Sequence, residues 1–272
     1  MEKLRAALDK ARQSREERLA VTGGKTTPTA KEPQEPSSSD ALWEALAPLN
    51  LKDEHLIQRR VVTRLAGKEA TPFDILRTKI LLQMRKNGWK RLAITSPMPQ
   101  SGKTTTACNL ALGLGRQSDL RSILFDLDLR DPSAHEFFKT QPPCSISDVL
   151  TGKAAFKDQA LRYGDNVAIS MALEADTDPT RILLSEEANL ALNEIEAAYQ
   201  PDIMIFDLPS VLVNDDTRAF LKNADCALIV ARADRTQYDQ FEACRSEIAD
   251  LTNVIGVVLN AYRHDKRSFR TK

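Results

Sequence analysis

The sequence is poor in the residues that mark several classes of protein. Its four cysteines are widely spaced and none forms a CxxC pair, which argues against a zinc site or a disulfide framework and indicates free thiols in a reducing compartment. The longest apolar runs have the length of a β-strand, and the charged N-terminus lacks an apolar stretch, so we expect no membrane span and no signal peptide. Lysine plus arginine and aspartate plus glutamate both number 38, a balance that does not indicate nucleic-acid binding.

Composition divides the chain into five stretches. Residues 1–22 have the pattern of a short charged helix, and residues 23–40, rich in Thr, Pro and Ser, are predicted to be a disordered linker, so that the N-terminal extension is mobile. Residues 41–69 contain ALWEALAPL, a short helical segment available to dock onto the domain or onto another protein. Residues 70–263 are predicted to form one domain, and residues 264–272 a basic tail.

From about residue 70, apolar runs of strand length alternate with helical stretches. A helix predicted over PFDILRTKILLQMRKN leads into RLAITS, and the later runs are SILFDLDL, VAISMAL, DIMIFDLP, CALIVARA and VIGVVLN. Strands rich in Ile, Val and Leu without strict alternation are buried on both faces. The pattern therefore predicts an α/β fold, with a doubly wound, mostly parallel sheet flanked by helices.

The segment SPMPQSGKTTTACNLALGL is typical of a phosphate-binding loop that opens a helix. A phosphate needs backbone N–H groups, a helix N-terminus and a lysine, and a threonine hydroxyl at this position can ligate Mg²⁺. The full pattern G-x-x-x-x-G-K-[ST] is incomplete, because Pro97 stands where the first glycine belongs. We expect the phosphates of a nucleotide to contact Ser101, Gly102, Lys103, Thr104 and Thr105.

Three aspartates follow predicted strands. Asp126 and Asp128, in ILFDLDLRDP, lie at the C-terminal end of one predicted strand, and Asp207, in IMIFDLPS, lies at the end of another. Ligands of doubly wound sheets bind at the carboxyl ends of the strands, so these carboxylates are predicted to converge on the phosphate loop. One can orient Mg²⁺ and another can take a proton from the attacking hydroxyl or water. We predict Lys103, Asp126, Asp128 and Asp207 as catalytic residues, with Thr104, Asp126 and Asp207 at the metal; the base is Asp126 or Asp128.

The order of these motifs resembles that of the bacterial tyrosine kinases, within the MinD/ParA-like superfamily of P-loop proteins. The resemblance is carried by SPMPQSGKTTTACNLA, ILFDLDLRDPSAH, SISDVLTGKAAF, IMIFDLPSVLVNDD, ALIVARADRTQ and IGVVLNAY. It implies an ATP- and Mg²⁺-dependent phosphotransferase or ATPase that regulates capsule or exopolysaccharide synthesis, chain length and export. It also implies a cytoplasmic protein, peripheral at the inner face of the plasma membrane through a membrane-embedded polysaccharide co-polymerase, and able to form homo-oligomers.

The resemblance assigns roles to further residues. It places Asp216 at another acidic position of the site, and it puts Arg232 and Asn260 after strands where the family approaches the nucleotide base. Each of these residues has a plain alternative as a surface or capping residue.

Two departures from the family's pattern lie outside the phosphate loop. Members that autophosphorylate end in a cluster of tyrosines, whereas Tyr262 stands alone near the end of this sequence, so we expect no repeated phosphorylation of a tail. The helix ahead of the loop keeps Arg77 of a motif that supports ring assembly, but it has Thr71 and Asp74 at the other two positions. Assembly through that motif is therefore in doubt.

Two other functions remain open from the sequence. A ParA/MinD-type ATPase switch shares this fold, but that group uses a second lysine early in the loop, where this chain has Met98. A nucleotide-dependent binding module without kinase activity is the other alternative, and the retained lysine and aspartates favour real turnover over it.

Overall fold

The computed structural model describes residues 38–262. The predicted helix over 1–22, most of the predicted linker over 23–40 and the basic tail over 264–272 lie outside this range and stay predictions. Among the described helices, none has the length and apolar character that a bilayer crossing requires.

Within the described range the chain forms eight strands and eleven helices. The strands are β1 (Ala47–Pro48), β2 (Arg91–Thr95), β3 (Ser122–Asp126), β4 (Leu161–Tyr163), β5 (Val167–Ser170), β6 (Ile203–Asp207), β7 (Cys226–Arg232) and β8 (Asn253–Asn260). The helices are α1 (Ser38–Glu44), α2 (Asp53–Gln58), α3 (Thr71–Asn87), α4 (Lys103–Leu114), α5 (Ala134–Phe138), α6 (Ile146–Leu150), α7 (Phe156–Gln159), α8 (Pro179–Leu184), α9 (Glu186–Tyr199), α10 (Asp216–Leu221) and α11 (Tyr238–Ala249).

The strands form one sheet in the order β1-β4-β5-β3-β6-β2-β7-β8. Every neighbouring pair is parallel except β4 and β5, which are antiparallel. The predicted doubly wound, mostly parallel sheet is therefore confirmed. After β2 the chain crosses to β3, which lies on one side of β2 in the sheet. After β6 it crosses over β2 to β7, which lies on the other side of β2. This reversal opens a crevice at the carboxyl end of β2, where ligands of such sheets bind.

Apolar side chains cover both faces of the central strands. All five residues of β3 and all five of β6 are buried, as expected for parallel strands between two layers of helices. On one face Phe125 and Phe206 stack with their ring centroids 5.3 Å apart, and on the other Leu124 and Ile94 pack with Leu112 of α4. These two layers hold the strand ends, and hence the residues that follow them, in a fixed arrangement.

Residues 41–69 pack as part of this same folded unit. Trp43 is 1% exposed, and its indole N–H donates to the Tyr199 carbonyl at the end of α9 over 2.8 Å. The two residues of β1 pair with β4 and extend the sheet. The sequence predicts that ALWEALAPL docks onto the domain or onto another protein, and its buried side chains contact the domain. The expected boundary at residue 70 falls inside the folded unit.

Candidate active site

The phosphate loop joins β2 to α4 and turns at Gly102. This glycine has φ +93°, a left-handed conformation that other residues adopt only with strain. A Cβ at this position would lie 2.0 Å from Nδ2 of Asn260. The same Asn260 amide donates to the Ser101 carbonyl over 2.8 Å. Glycine at this position leaves room for the Asn260 side chain against the loop.

Helix α4 begins at Lys103, directly after the loop. The first N–H groups of a helix have no carbonyl partner within it, and the positive end of the helix dipole favours an anion. Lys103 is 8% exposed, and its Nζ donates to the Ser210 hydroxyl over 3.2 Å. Ser210 was not predicted, although it follows Asp207 in the motif IMIFDLPS.

Two arginines hold the outer side of the loop. Nη1 of Arg232 donates to the Gln100 carbonyl over 2.6 Å, and Nη1 of Arg235 donates to the Gln100 side-chain oxygen over 3.2 Å. Gln100 has φ +59°. The structure thus places both Arg232 and Asn260, the residues expected near the base, in direct contact with the phosphate loop.

Asp126 and Asp207 end neighbouring parallel strands and face each other in register. They are 1% and 2% exposed. The Asp126 carboxylate accepts the backbone N–H of Ala134 over 3.0 Å and that of Asp128 over 3.3 Å. Neither carboxylate oxygen of Asp207 has a hydrogen-bond partner of good geometry among the described residues. A pair of buried carboxyls with two unused oxygens favours a cation.

Burial dominates the ionisation of these carboxyls. It raises the pKa of Asp207 to about 7, against the opposing effects of the Lys103 charge and the Thr104 hydroxyl. Burial, together with the neighbouring Asp207 charge, raises the pKa of Asp126 well above its ordinary value. Burial also raises the pKa of Asp128, and the Lys103 charge opposes that shift. Without a bound cation, the pair at the strand ends therefore tends to hold a proton.

The phosphate loop, the ends of the strands and the N-terminal segment (residues 38–73) line a cavity of about 960 Å³. Its wall includes seven of the ten predicted site residues: Gly102, Lys103, Thr104, Thr105, Asp128, Arg232 and Asn260. The other three, Ser101, Asp126 and Asp207, are buried and do not line it. The structure thus brings Asp128 to the same cavity as the phosphate loop.

Asp216 has a different position from the other aspartates. It is 1% exposed. Its carboxylate accepts hydrogen bonds from Nε and Nη2 of Arg130, over 2.6 and 3.0 Å, and from the Thr180 hydroxyl. Arg130 lines the cavity and Asp216 does not. The acidic position expected at Asp216 therefore supports an arginine that sequence reasoning missed.

Two residues of the helix ahead of the loop, at positions of the assembly motif, form contacts within the chain. Asp74 pairs with Arg77 at 3.2 Å and with Arg116, and Nη1 of Arg77 donates to the Gly113 carbonyl over 2.6 Å. These groups join α3 to the end of α4, so Arg77 has a contact inside the fold.

Part of the cavity wall comes from residues to which the sequence assigned no role. They lie in the N-terminal segment and after β3: Arg60, Val62, Glu69, Phe73, Asp131, Ser133 and Phe137. The N-terminal members precede the phosphate loop by more than 20 residues in sequence, and only the fold brings them to it.

Comparisons with known proteins agree with this geometry. Residues 92–272 match the family model described as the CobQ/CobB/MinD/ParA nucleotide binding domain. The tyrosine-protein kinase YwqD of Bacillus subtilis is 27% identical over 217 residues, 78% of this chain and 90% of that protein. The tyrosine-protein kinase CpsD of Streptococcus agalactiae is 27% identical over 202 residues, 72% of this chain and 84% of that protein.

A solved structure has the same fold. The kinase domain of the Escherichia coli tyrosine kinase ETK superposes with a TM-score of 0.68 and 22% identity, over 74% of this chain and 79% of that chain. The resemblance predicted from the order of motifs is confirmed by these matches.

Proposed function

This chain belongs to the CobQ/CobB/MinD/ParA nucleotide-binding domain family, and from that premise we propose that it binds ATP with Mg²⁺ and cleaves or transfers the terminal phosphoryl group. One observation carries the proposal. Lys103 and Thr104 face the cavity at the start of α4, while two buried carboxylates end adjacent strands directly behind them. This combination of a cationic loop and an acidic strand edge suits a nucleotide with its metal.

The residues present fit Mg²⁺, a hard cation that takes oxygen ligands and keeps several waters. Thr104, Asp126 and Asp207 would hold it, and the strongest indication is that the two Asp207 oxygens lack a hydrogen bond of good geometry among the described residues. Among the described residues, no group of three or more His, Cys, Asp or Glu side chains forms a site for a metal on its own, as expected where nucleotide phosphates complete the ligand set. When bound, the ion would neutralise charge on the phosphates.

The loop residues would hold the phosphates. Backbone N–H groups of Gly102, Lys103, Thr104 and Thr105 start a helix with no carbonyl acceptor, and they would donate to phosphate oxygens. The buried Lys103 ammonium, which donates to the Ser210 hydroxyl in this structure, would stabilise charge that develops on the terminal phosphate. Ser101 holds the turn through its hydroxyl, which donates to the Met98 carbonyl over 2.7 Å.

Asp128 is the better candidate for the base. It lines the cavity, whereas Asp126 is buried and already accepts two backbone N–H groups. Burial raises the pKa of Asp128, which brings a carboxylate closer to the range where it accepts a proton effectively. We therefore assign to Asp128 the proton of the attacking hydroxyl or water.

The relatives support a proposal for the biological setting. Two of them are tyrosine-protein kinases, and the motifs resemble the kinases of polysaccharide export. We propose that this chain acts in the cytoplasm, at the inner face of the plasma membrane, with a membrane-embedded polysaccharide co-polymerase. There it would regulate capsule or exopolysaccharide synthesis by ATP hydrolysis or by phosphorylation of tyrosine.

Incubation of the purified protein with γ-labelled ATP and Mg²⁺ tests the proposal, with released phosphate and protein-bound label followed together. Label on tyrosine that is lost in Lys103→Met supports a kinase. Free phosphate without protein label supports an ATPase switch. Absence of both products, with the protein folded, would overturn the proposed turnover, and nucleotide binding without turnover would favour the binding module.

A further inference from the structure

Arg60 is a cation on the cavity wall that follows no predicted motif. It follows α2 and lines the same cavity as Lys103, and its guanidinium forms no ion pair with any described residue. The preceding arginine, Arg59, differs in this respect. Arg59 pairs with Glu136 at 2.9 Å and lies over the Phe137 ring, 5.7 Å from its centroid. Arg60 therefore keeps its charge available to the cavity.

The backbone of Arg60 ends α2 in a left-handed turn. Arg60 has φ +61°, its N–H donates to the Ile57 carbonyl over 2.9 Å, and the Val61 N–H donates to the Leu56 carbonyl over 2.8 Å. These two bonds form a Schellman motif, in which a left-handed residue after the helix C-cap is ordinary. The turn therefore sets the place of the Arg60 backbone at the end of α2.

Asn109 holds Arg60 in this place. It is fully buried in α4, and its amide N–H₂ donates to the Arg60 carbonyl over 2.9 Å and to the Thr105 carbonyl over 2.8 Å. Its side-chain oxygen accepts the backbone N–H of Val62 over 2.9 Å. One side chain thus joins the backbone on both sides of residue 61 to the first turns of α4, beside the phosphate loop.

We propose that Arg60 binds a phosphate group of the nucleotide, as a contact supplied by the N-terminal segment. A guanidinium without an ion pair among the described residues, on the wall of the cavity that Lys103 and Thr104 also line, has the chemistry and the place for a charge-assisted, two-pronged contact. The inference rests on the proposed function, since it requires the nucleotide to occupy this cavity.

Calorimetric titration with ADP·Mg²⁺ and with a non-hydrolysable ATP analogue tests the contact in the full chain. Arg60→Ala is expected to raise Kd about tenfold or more, the size of a lost hydrogen bond to a charged group. Arg60→Gly should weaken binding equally and fold at least as stably, because glycine adopts φ +61° without strain. The matched control Arg59→Ala, which removes the same charge one residue away, should leave Kd nearly unchanged.

Three results would count against the inference, and they are distinguishable. An unchanged Kd in both Arg60 variants overturns the contact alone. Equal weakening in the Arg59 and Arg60 variants also overturns it, since the effect would then come from the net charge of the segment. A wild-type protein that binds neither probe overturns the proposed function itself.

Discussion

Lys103 is the side chain on which the proposed chemistry depends most. It is buried at the start of α4 and near the carboxylates of Asp207 and Asp128, whose pKa values its charge lowers. Lys103→Met removes that charge and the donor to the terminal phosphate. Turnover in a phosphate-release assay should fall by about 10²-fold or more. The exposed Lys222→Met serves as the control; equal rates in both variants would rule out the role of Lys103.

Asp207 makes stability depend on pH. Burial raises its pKa to about 7 from an ordinary value of 3.8, so the folded protein binds this proton more tightly than the unfolded chain. Stability is then highest when the group is protonated, and the free energy of unfolding should fall as pH rises between these two values. Asp207→Asn should flatten this slope in urea unfolding with EDTA present, and raise Tm at pH 8.

The slope should be reduced and not abolished, because burial raises the pKa of Asp126 in the same direction. The exposed Asp119→Asn should leave the pH profile as it is in the wild type. A profile in Asp207→Asn identical to that of the wild type would contradict a buried, proton-binding carboxyl at this strand end.

At the scale of the element, the phosphate loop depends on glycine. Gly102→Ala would place a Cβ 2.0 Å from Asn260 and force alanine to φ +93°, so nucleotide affinity should fall roughly tenfold or more. Gly152 has φ +71° with no atom within 4 Å of a Cβ, which makes Gly152→Ala a matched control for backbone strain alone. Titration with ADP should give a weaker affinity for Gly102→Ala than for Gly152→Ala. Equal affinities would contradict the close contact between Gly102 and the Asn260 side chain.

Periodicity and composition predicted the regular elements of the central sheet. The runs RLAITS, SILFDLDL, DIMIFDLP and CALIVARA correspond to β2, β3, β6 and β7, because strands buried on both faces need continuous apolar sequence. The two-residue β1 and the antiparallel β4 carry no such signal. Their pairing is decided by tertiary contacts, and a strand of two or three residues is too short to show a period.

The N-terminal segment is tied to the rest of the fold through Trp43. Its indole packs edge-on against Tyr199, with ring centroids 6.1 Å apart, and is 1% exposed. Trp43→Ala should lower the free energy of unfolding by about 3–5 kcal/mol, the usual effect of emptying a buried aromatic position. Glu44→Ala, on the exposed side of α1, is the control in urea unfolding. A loss below about 1 kcal/mol would mean that α1 is only loosely docked.

At the scale of the whole molecule, the candidate site was predictable where chemistry and position share a motif. Lys103 and Thr104 follow a strand and open a helix, and Asp128 follows the next strand, so topology alone brings them together. Arg60 was missed because only packing between distant segments brings it to the cavity, and no local pattern encodes that placement. Ser210 was missed although it lies in the motif IMIFDLPS, and the expected acidic residue Asp216 supports Arg130.

A crystal structure of the protein with Mg²⁺ and a non-hydrolysable ATP analogue would show where the nucleotide and its metal bind. We predict the triphosphate over the N-terminus of α4, with Lys103 at the terminal phosphate and Mg²⁺ near Thr104, Asp126 and Asp207. A nucleotide bound elsewhere, or a metal held away from these oxygens, would contradict this prediction.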